Sequence, residues 1–214
     1  MTRTGRRKGS PDTREAILDA ARAVFAERGF DGASIRTIAA TAAVDPALVH
    51  HYFGHKEQLF LATVGAPVDP GELLPPILEG ERSELGERLV RTFVSVWGDP
   101  RSGPKIIAIV RSALAHDWSA RMLREFVTSQ ILRRVIAMAD VPAAEAPIRA
   151  ALVASQMIGL GLARFVLKIE PLASADIETV VATIGPNVQR YLTGPLPMAA
   201  RGNAEVDVPA PATE

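Results

Sequence analysis

Residues Ser34–Leu61 read SIRTIAATAAVDPALVHHYFGHKEQLFL, a run of short helical patterns separated by breaks. Ser34 suits a helix N-cap and is followed by Ile35, Ile38, Ala39 and Ala42 on one helical face. Ala43-Val44-Asp45 breaks that helix, and Asp45-Pro46 starts another as N-cap and first-turn residue. Val49 and Phe53, four apart, give the second helix its buried side. Two short helices joined by a tight turn satisfy a helix-turn-helix, in which the second helix enters a DNA major groove. An ordinary αα-corner satisfies the same geometry.

The residues beyond the second helix favour DNA. Gly54-His55 ends it and puts Lys56 in the first turn of the next helix. A cation is disfavoured at that electropositive end, so the lysine makes sense where an anion such as a phosphate arrives. A solvated lysine offset by Glu57 is the plainer alternative. Upstream, Ser10-Pro11-Asp12 opens a helix whose Ile17, Leu18, Ala21, Val24 and Phe25 form one stripe, closed by Gly29.

The order of that helix, Gly29-Phe30, SIRTIA, AVDPALVHHYF and HKEQLF closely resembles the DNA-binding domain of the TetR/AcrR family of bacterial transcription regulators. Two departures stand out. Ala43 occupies the turn position where the family usually has glycine, so the turn forms without glycine's freedom. His50 replaces a favoured tyrosine, which alters the strength or pH response of one backbone contact. The resemblance implies an all-α protein of about nine helices: a three-helix DNA-binding head and a helical ligand-binding and dimerisation body. It also implies a homodimer joined through its last two helices, a double-stranded DNA operator of near-palindromic sequence, and an inducer bound inside the body.

Composition is consistent with this reading. The 214 residues suffice for a small head and a larger body, and the net charge of zero argues against a generic nucleic-acid coat. There is no cysteine, which excludes disulfides, thiolate nucleophiles and cysteine zinc sites. Of the four histidines, His50, His51 and His55 lie in the DNA-reading stretch and His116 stands alone, so no metal or other cofactor is expected. The N-terminus carries Arg3, Arg6, Arg7 and Lys8 without an acid, either a minor-groove contact or a solubilising end. It lacks the apolar core of a secretory signal. The most apolar run, Ala150–Leu167, contains Gln156 and Arg164 and reads as a buried helix, not a membrane span. A cytoplasmic protein is expected.

Along the chain we expect a basic arm at 1–10, the head at 11–64 and a Pro/Gly-rich connection at 65–82. The body is expected at 83–193 and a disordered tail at 194–214. Helical period marks segments around Leu85–Trp97, Ile106–Leu114, Ser119–Ala139, Ala144–Lys168 and Ala175–Leu192. Ala150–Leu167 is apolar nearly all round, with Arg149, Gln156 and Arg164 as a polar seam, so a second subunit is expected to cover it beside its own core. Ile177, Val181, Ile184, Val188 and Tyr191 form a heptad-like seam, interrupted by Gly185-Pro186. Such a seam fits burial in a monomer core equally well. The resemblance decides for a dimer interface at Gln156, Leu160, Ile177, Val181, Ile184 and Val188.

Enzymatic chemistry finds no support, because there is no phosphate-cradling glycine loop, no metal-binding His-Glu pair and no acid pair in an apolar setting. A ligand-responsive repressor is therefore expected, with an architectural DNA-binding protein as the alternative and an enzyme with a DNA-binding head as a more distant one. Ser34, Arg36, His50, Tyr52 and Lys56 are expected at phosphates, Arg36 alternatively at a base. Pro46, Ala47, Leu48 and His51 are expected at base edges, with Leu48 suited to a thymine methyl. The pocket for an apolar small-molecule effector is expected among Phe93, Trp97, Arg111, Met122, Phe126 and Met157, although helically spaced aromatics and methionines also describe plain core.

Overall fold

The computed structural model describes residues 11–196. The basic arm and all but the first residues of the expected tail lie outside them. No strand occurs among the described residues, in keeping with the all-α expectation.

The head comprises α1 (Pro11–Gly32), α2 (Ile35–Thr41), α3 (Pro46–Phe53) and α4 (Lys56–Val64). Both expected caps are made. Ser34 Oγ accepts the Thr37 N–H at 3.1 Å and Asp45 Oδ1 accepts the Ala47 N–H at 2.7 Å, each satisfying an otherwise orphaned first-turn amide. The stripe of α1 packs on Ile38, Ala39, Val49, Phe53, Leu59 and Phe60. Phe60 meets Phe25 and Phe30 edge-on, at ring separations of 4.9 and 5.2 Å.

The breaker-rich connection holds two single-turn helices, α5 (Pro70–Leu73) and α6 (Pro75–Leu78). The body comes next, with α7 (Leu85–Gly98), α8 (Gly103–Ala115), α9 (Asp117–Phe126), α10 (Arg133–Ala139), α11 (Ala146–Gly161) and α12 (Ile177–Thr193). The helix expected over Ser119–Ala139 is present but passes through a π-helical stretch at Val127–Leu132 between α9 and α10. A second π-helical stretch, Leu162–Val166, prolongs α11. Each lengthened turn rotates the residues after it relative to an ideal helix.

In the body α7 packs closely against α12. A Cβ on Gly86 would lie 2.5 Å from the Gln189 nitrogen and 2.6 Å from the Gly185 oxygen. The bare backbones therefore touch, and the Gly86 N–H donates to Gln189 Oε1 at 2.7 Å. This contact turns part of the seam expected at a dimer interface into the chain's own core. Val181 and Val188 are buried in the chain's own core with Leu160, while Ile184 packs at its edge. Gln156 is half-buried and Ile177 is exposed. A 4-3 repeat describes any helix with one buried stripe, and here the partner of that stripe is α7.

The expected polar seam of α11 is likewise turned inward. Buried Arg149 pairs with Glu145 at 2.6 Å and donates to the carbonyls of Tyr191 and Gly194 at 2.8 and 2.9 Å. Arg164 donates to the carbonyls of Leu172 and Ala175. The two arginines tie the end of α12 and the α11–α12 connection to the core. The opposite row of α11, with Ile148, Ala151, Ser155, Ile158 and Gly159, is exposed. Ala146–Val166 is long and apolar enough to cross a membrane by length and composition, and 28% of its most apolar window is buried in the chain. The expected burial is therefore realised on one side only.

Gly86→Ala should destabilise the body by about 1–3 kcal/mol, because its methyl overlaps backbone atoms that cannot rotate away. Urea denaturation of the two proteins measures the difference.

Candidate nucleic-acid interface and body cavity

The outer face of α2 and α3 carries most of the residues expected at DNA. Arg36, Pro46, Ala47, His50 and His51 are exposed, and Leu48 and Tyr52 are half-buried. The Tyr52 ring stands edge-on to His51 at 5.4 Å, which fixes both side chains at the end of α3. Ser34 is exposed, but its hydroxyl is occupied by capping α2 and by a 2.8 Å contact with Thr37 Oγ1. The His50 Nδ1–H donates to the Gly54 carbonyl at 2.7 Å. A neutral His50 therefore presents Nε2 as an acceptor, and only the imidazolium can donate from that side to a phosphate.

The turn between α2 and α3 shows what the missing glycine entails. Ala43 has φ of 54°, in the left-handed region. A side chain there costs about 1–2 kcal/mol, held by the Val44 N–H bonding to the Ala39 carbonyl at 3.0 Å.

Lys56 departs from the expectation of a free phosphate contact. Its ammonium donates to the carbonyls of Phe30 and Ala33 at 2.9 and 3.1 Å and lies 4.4 Å from the Phe30 ring centre. The lysine thus reaches back from the start of α4 to the α1–α2 connection. The electropositive helix end is avoided because the charge is carried away from it.

Head and body meet at α9. Gly29 has φ 69° and ψ 177°, a conformation confined almost wholly to glycine. Just beyond this kink the Phe30 N–H donates to Glu125 Oε1 at 2.7 Å. Met122 is fully buried in the head's core, and Trp118 and Phe126 pack beside it. Further along, Arg133 bonds Asp31 at 2.7 Å, and this hydrogen bond with its charge holds the Asp31 carboxyl below the usual carboxylate range. That exposed pair contributes at most about 1 kcal/mol, whereas burying a methionine contributes about 1.5–3 kcal/mol. Met122 is therefore the stronger tie. The sequence held no local signal for Asp31, Glu125 or Arg133, whose partners lie 95 and 102 residues away.

Inside the body lies a cavity of about 530 Å³. Phe93, Trp97, Phe126 and Met157 line it as expected, with the Trp97 ring 5.0 Å from Phe93 and 5.6 Å from Phe165. Two expected wall residues are elsewhere. Met122 belongs to the head, and Arg111 is exposed on the far side of α8, where its charge stays in water. The remaining wall includes Val64, Ala66, Pro67 and Val68, so the end of α4 and the connection after it touch the cavity directly.

Ala43→Gly should stabilise the head by about 0.5–1 kcal/mol, since relief of the left-handed strain exceeds glycine's extra unfolded-state entropy. A rise in chemical-denaturation midpoint with unchanged α-helical signal is the expected result. Lys56→Met should cost about 1–3 kcal/mol by leaving two carbonyls without their charged donor. The slope of log affinity for DNA against log salt should stay the same. A slope reduced by about one unit at unchanged stability would instead assign the ammonium to a phosphate.

Comparison with known proteins agrees with this architecture. Residues 17–63 match the family described as bacterial regulatory proteins, tetR family, and residues 83–192 match the tetracyclin repressor-like C-terminal domain. A TetR-family regulator from Streptomyces coelicolor A3 is 43% identical over 88% of this chain and 98% of its own, with a TM-score of 0.48. The transcriptional regulator BetI of Rhizobium meliloti is 50% identical over 54 residues, 25% of this chain and 27% of its own length. The transcriptional repressor AcnR of Corynebacterium efficiens is 41% identical over 51 residues, 24% of this chain and 27% of its own. The likeness to these two curated relatives thus spans about a quarter of their length. On the match of residues 83–192, half of the chain, together with that of residues 17–63, the chain belongs to the TetR family of bacterial transcriptional regulators.

Proposed function

We propose that the protein is a ligand-responsive repressor that binds a near-palindromic double-stranded operator as a homodimer in the cytoplasm. The observation that carries the ligand is the apolar cavity of about 530 Å³, whose wall includes both the end of α4 and residues of α9. An architectural DNA-binding protein needs no such space. Volumes of about 300–1,000 Å³ are usual for small-molecule sites, so one compact effector fits. Pro46, Ala47, Leu48 and His51 face base edges, while Arg36, His50 and Tyr52 meet phosphates. Ser34 and Lys56 support this face from behind.

The effector acts only through its unequal affinity for the DNA-competent and incompetent states. A ten- to hundred-fold loss of operator affinity requires a coupling of about 1.4–2.7 kcal/mol. A wall shared between α4, α9 and the body offers that inequality, because filling the cavity pushes on elements that position α3. Two-fold symmetry fits the exposed row of α11, in which Ile158 is 50% exposed and nothing lies within 4 Å of a Cβ on Gly159. This row, with Ala182, Thr183 and the exposed seam residue Ile177 of α12, forms the dimer surface in place of inward-facing Val181 and Val188.

Sedimentation and operator binding test the proposal together. The wild type should be a dimer at micromolar concentration, Ile158→Asp a folded monomer, and Val181→Asp an unfolded body. Operator affinity should drop in the monomer and on adding a compound that enters the cavity. A wild-type monomer, or a cavity ligand whose affinity is the same with and without operator, would refute the corresponding half.

A further inference from the structure

The cavity wall is mostly apolar and carries a single charge. Among the described residues Arg124 is the one charged side chain lining it, and no acid faces it. Thr92 and Thr128 add hydroxyls, but that of Thr128 already donates to the Arg124 carbonyl at 2.8 Å. Arg124 is exposed and its guanidinium has no ion-pair or hydrogen-bond partner among the described residues. Arg133 is engaged with Asp31, Arg149 with Glu145 and Arg164 with two carbonyls, whereas exposed Arg111 and Arg121 have no partner among the described residues but do not line the cavity.

We infer that the effector is an amphiphilic monoanion, with an apolar body inside the cavity and a carboxylate held by Arg124 at its mouth. The inference rests on the reading of the cavity as the effector site and adds the chemical class. The rings of Phe93, Trp97 and Phe126 form a wall that rewards burial of hydrocarbon and penalises burial of a charge. A carboxylate left at the rim keeps part of its water and gains a planar donor pair matched to its two oxygens. A cationic ligand finds no acid in the wall and meets the repulsion of Arg124. The position also matters mechanically. Arg124 lies between Met122, buried in the head, and Glu125, which accepts the Phe30 N–H. A carboxylate drawing on this guanidinium therefore acts on the helix that holds the head.

The test compares decanoate with decan-1-ol, which share a tail and differ in charge, by calorimetric titration of the full-length protein below the micellar range. Decanoate should bind about ten-fold or more tightly than the alcohol, as expected for a charged hydrogen-bonded pair. Arg124→Gln should bring decanoate to the alcohol's affinity and leave the alcohol unchanged, which also shows that the variant is folded. Arg124→Lys should keep part of the preference. Equal wild-type affinities, or a decanoate affinity indifferent to Arg124→Gln, would overturn the anionic assignment. Loss of alcohol binding in the cavity-filling variant Ala113→Trp would still leave the cavity as the effector site in that case. Binding of neither probe to the wild type would remove the effector site and this inference with it.

Discussion

The insertion of α9 into the head couples the protein's two cores. Met122 completes the head's core, Glu125 takes the amide just past the Gly29 kink, and Phe126 both packs beside the head and lines the cavity. One helix thus belongs to two cores. Because packed interiors resist continuous deformation, a helix shared in this way transmits displacement between them. Lys56 performs a related task within the head. By tying α4 to the carbonyls of Phe30 and Ala33, it joins the helix that reaches the cavity to the connection that leads into α2. The recognition surface is therefore positioned by polar contacts on its inner side, well away from any base.

The head was legible in the sequence because its signals are local. Ser34 and Asp45 accept amides two or three residues away, Pro46 suits a first turn by its fixed φ, and the α1 stripe needs only helical period to declare its buried side. The Ala43 substitution was legible too, since one residue in place of glycine foretells one dihedral angle. The contacts of Lys56 were not legible. Its place at a helix start is a local fact, but its partners lie 23 and 26 residues away, and a long side chain can leave the position its backbone assigns.

The body was legible as helices and much less as faces. Periodicity shows that a stripe of α12 is buried without saying by what, and the glycine pair Gly86 and Gly185 made α7 its partner. The same ambiguity covers the arginines of α11. Their spacing marks a line of charge, yet Arg149 and Arg164 satisfy carbonyls of distant segments. Phe93, Trp97, Phe126 and Met157 line the cavity, whereas Arg111 and Met122 do not. The π-helical stretch turns the residues beyond α9 to a new face, so side chains upstream serve the head while Leu132, Val135 and Ile136 serve the body. Nothing in the spacing of apolar residues announced that change of allegiance.

The burial of Met122 among head residues also sets an order of events during synthesis. The helix-turn-helix is translated early, but the side chain that closes its core lies 58 residues beyond Val64, the last residue of α4. At ~5–20 residues per second, that gap amounts to about 3–12 s on the ribosome. Through that interval the nascent head carries an open apolar socket, wetted by solvent or held by a chaperone. The helix-turn-helix thus reaches its final rigidity only once the body has begun to emerge, so a prematurely truncated product carries an incomplete head.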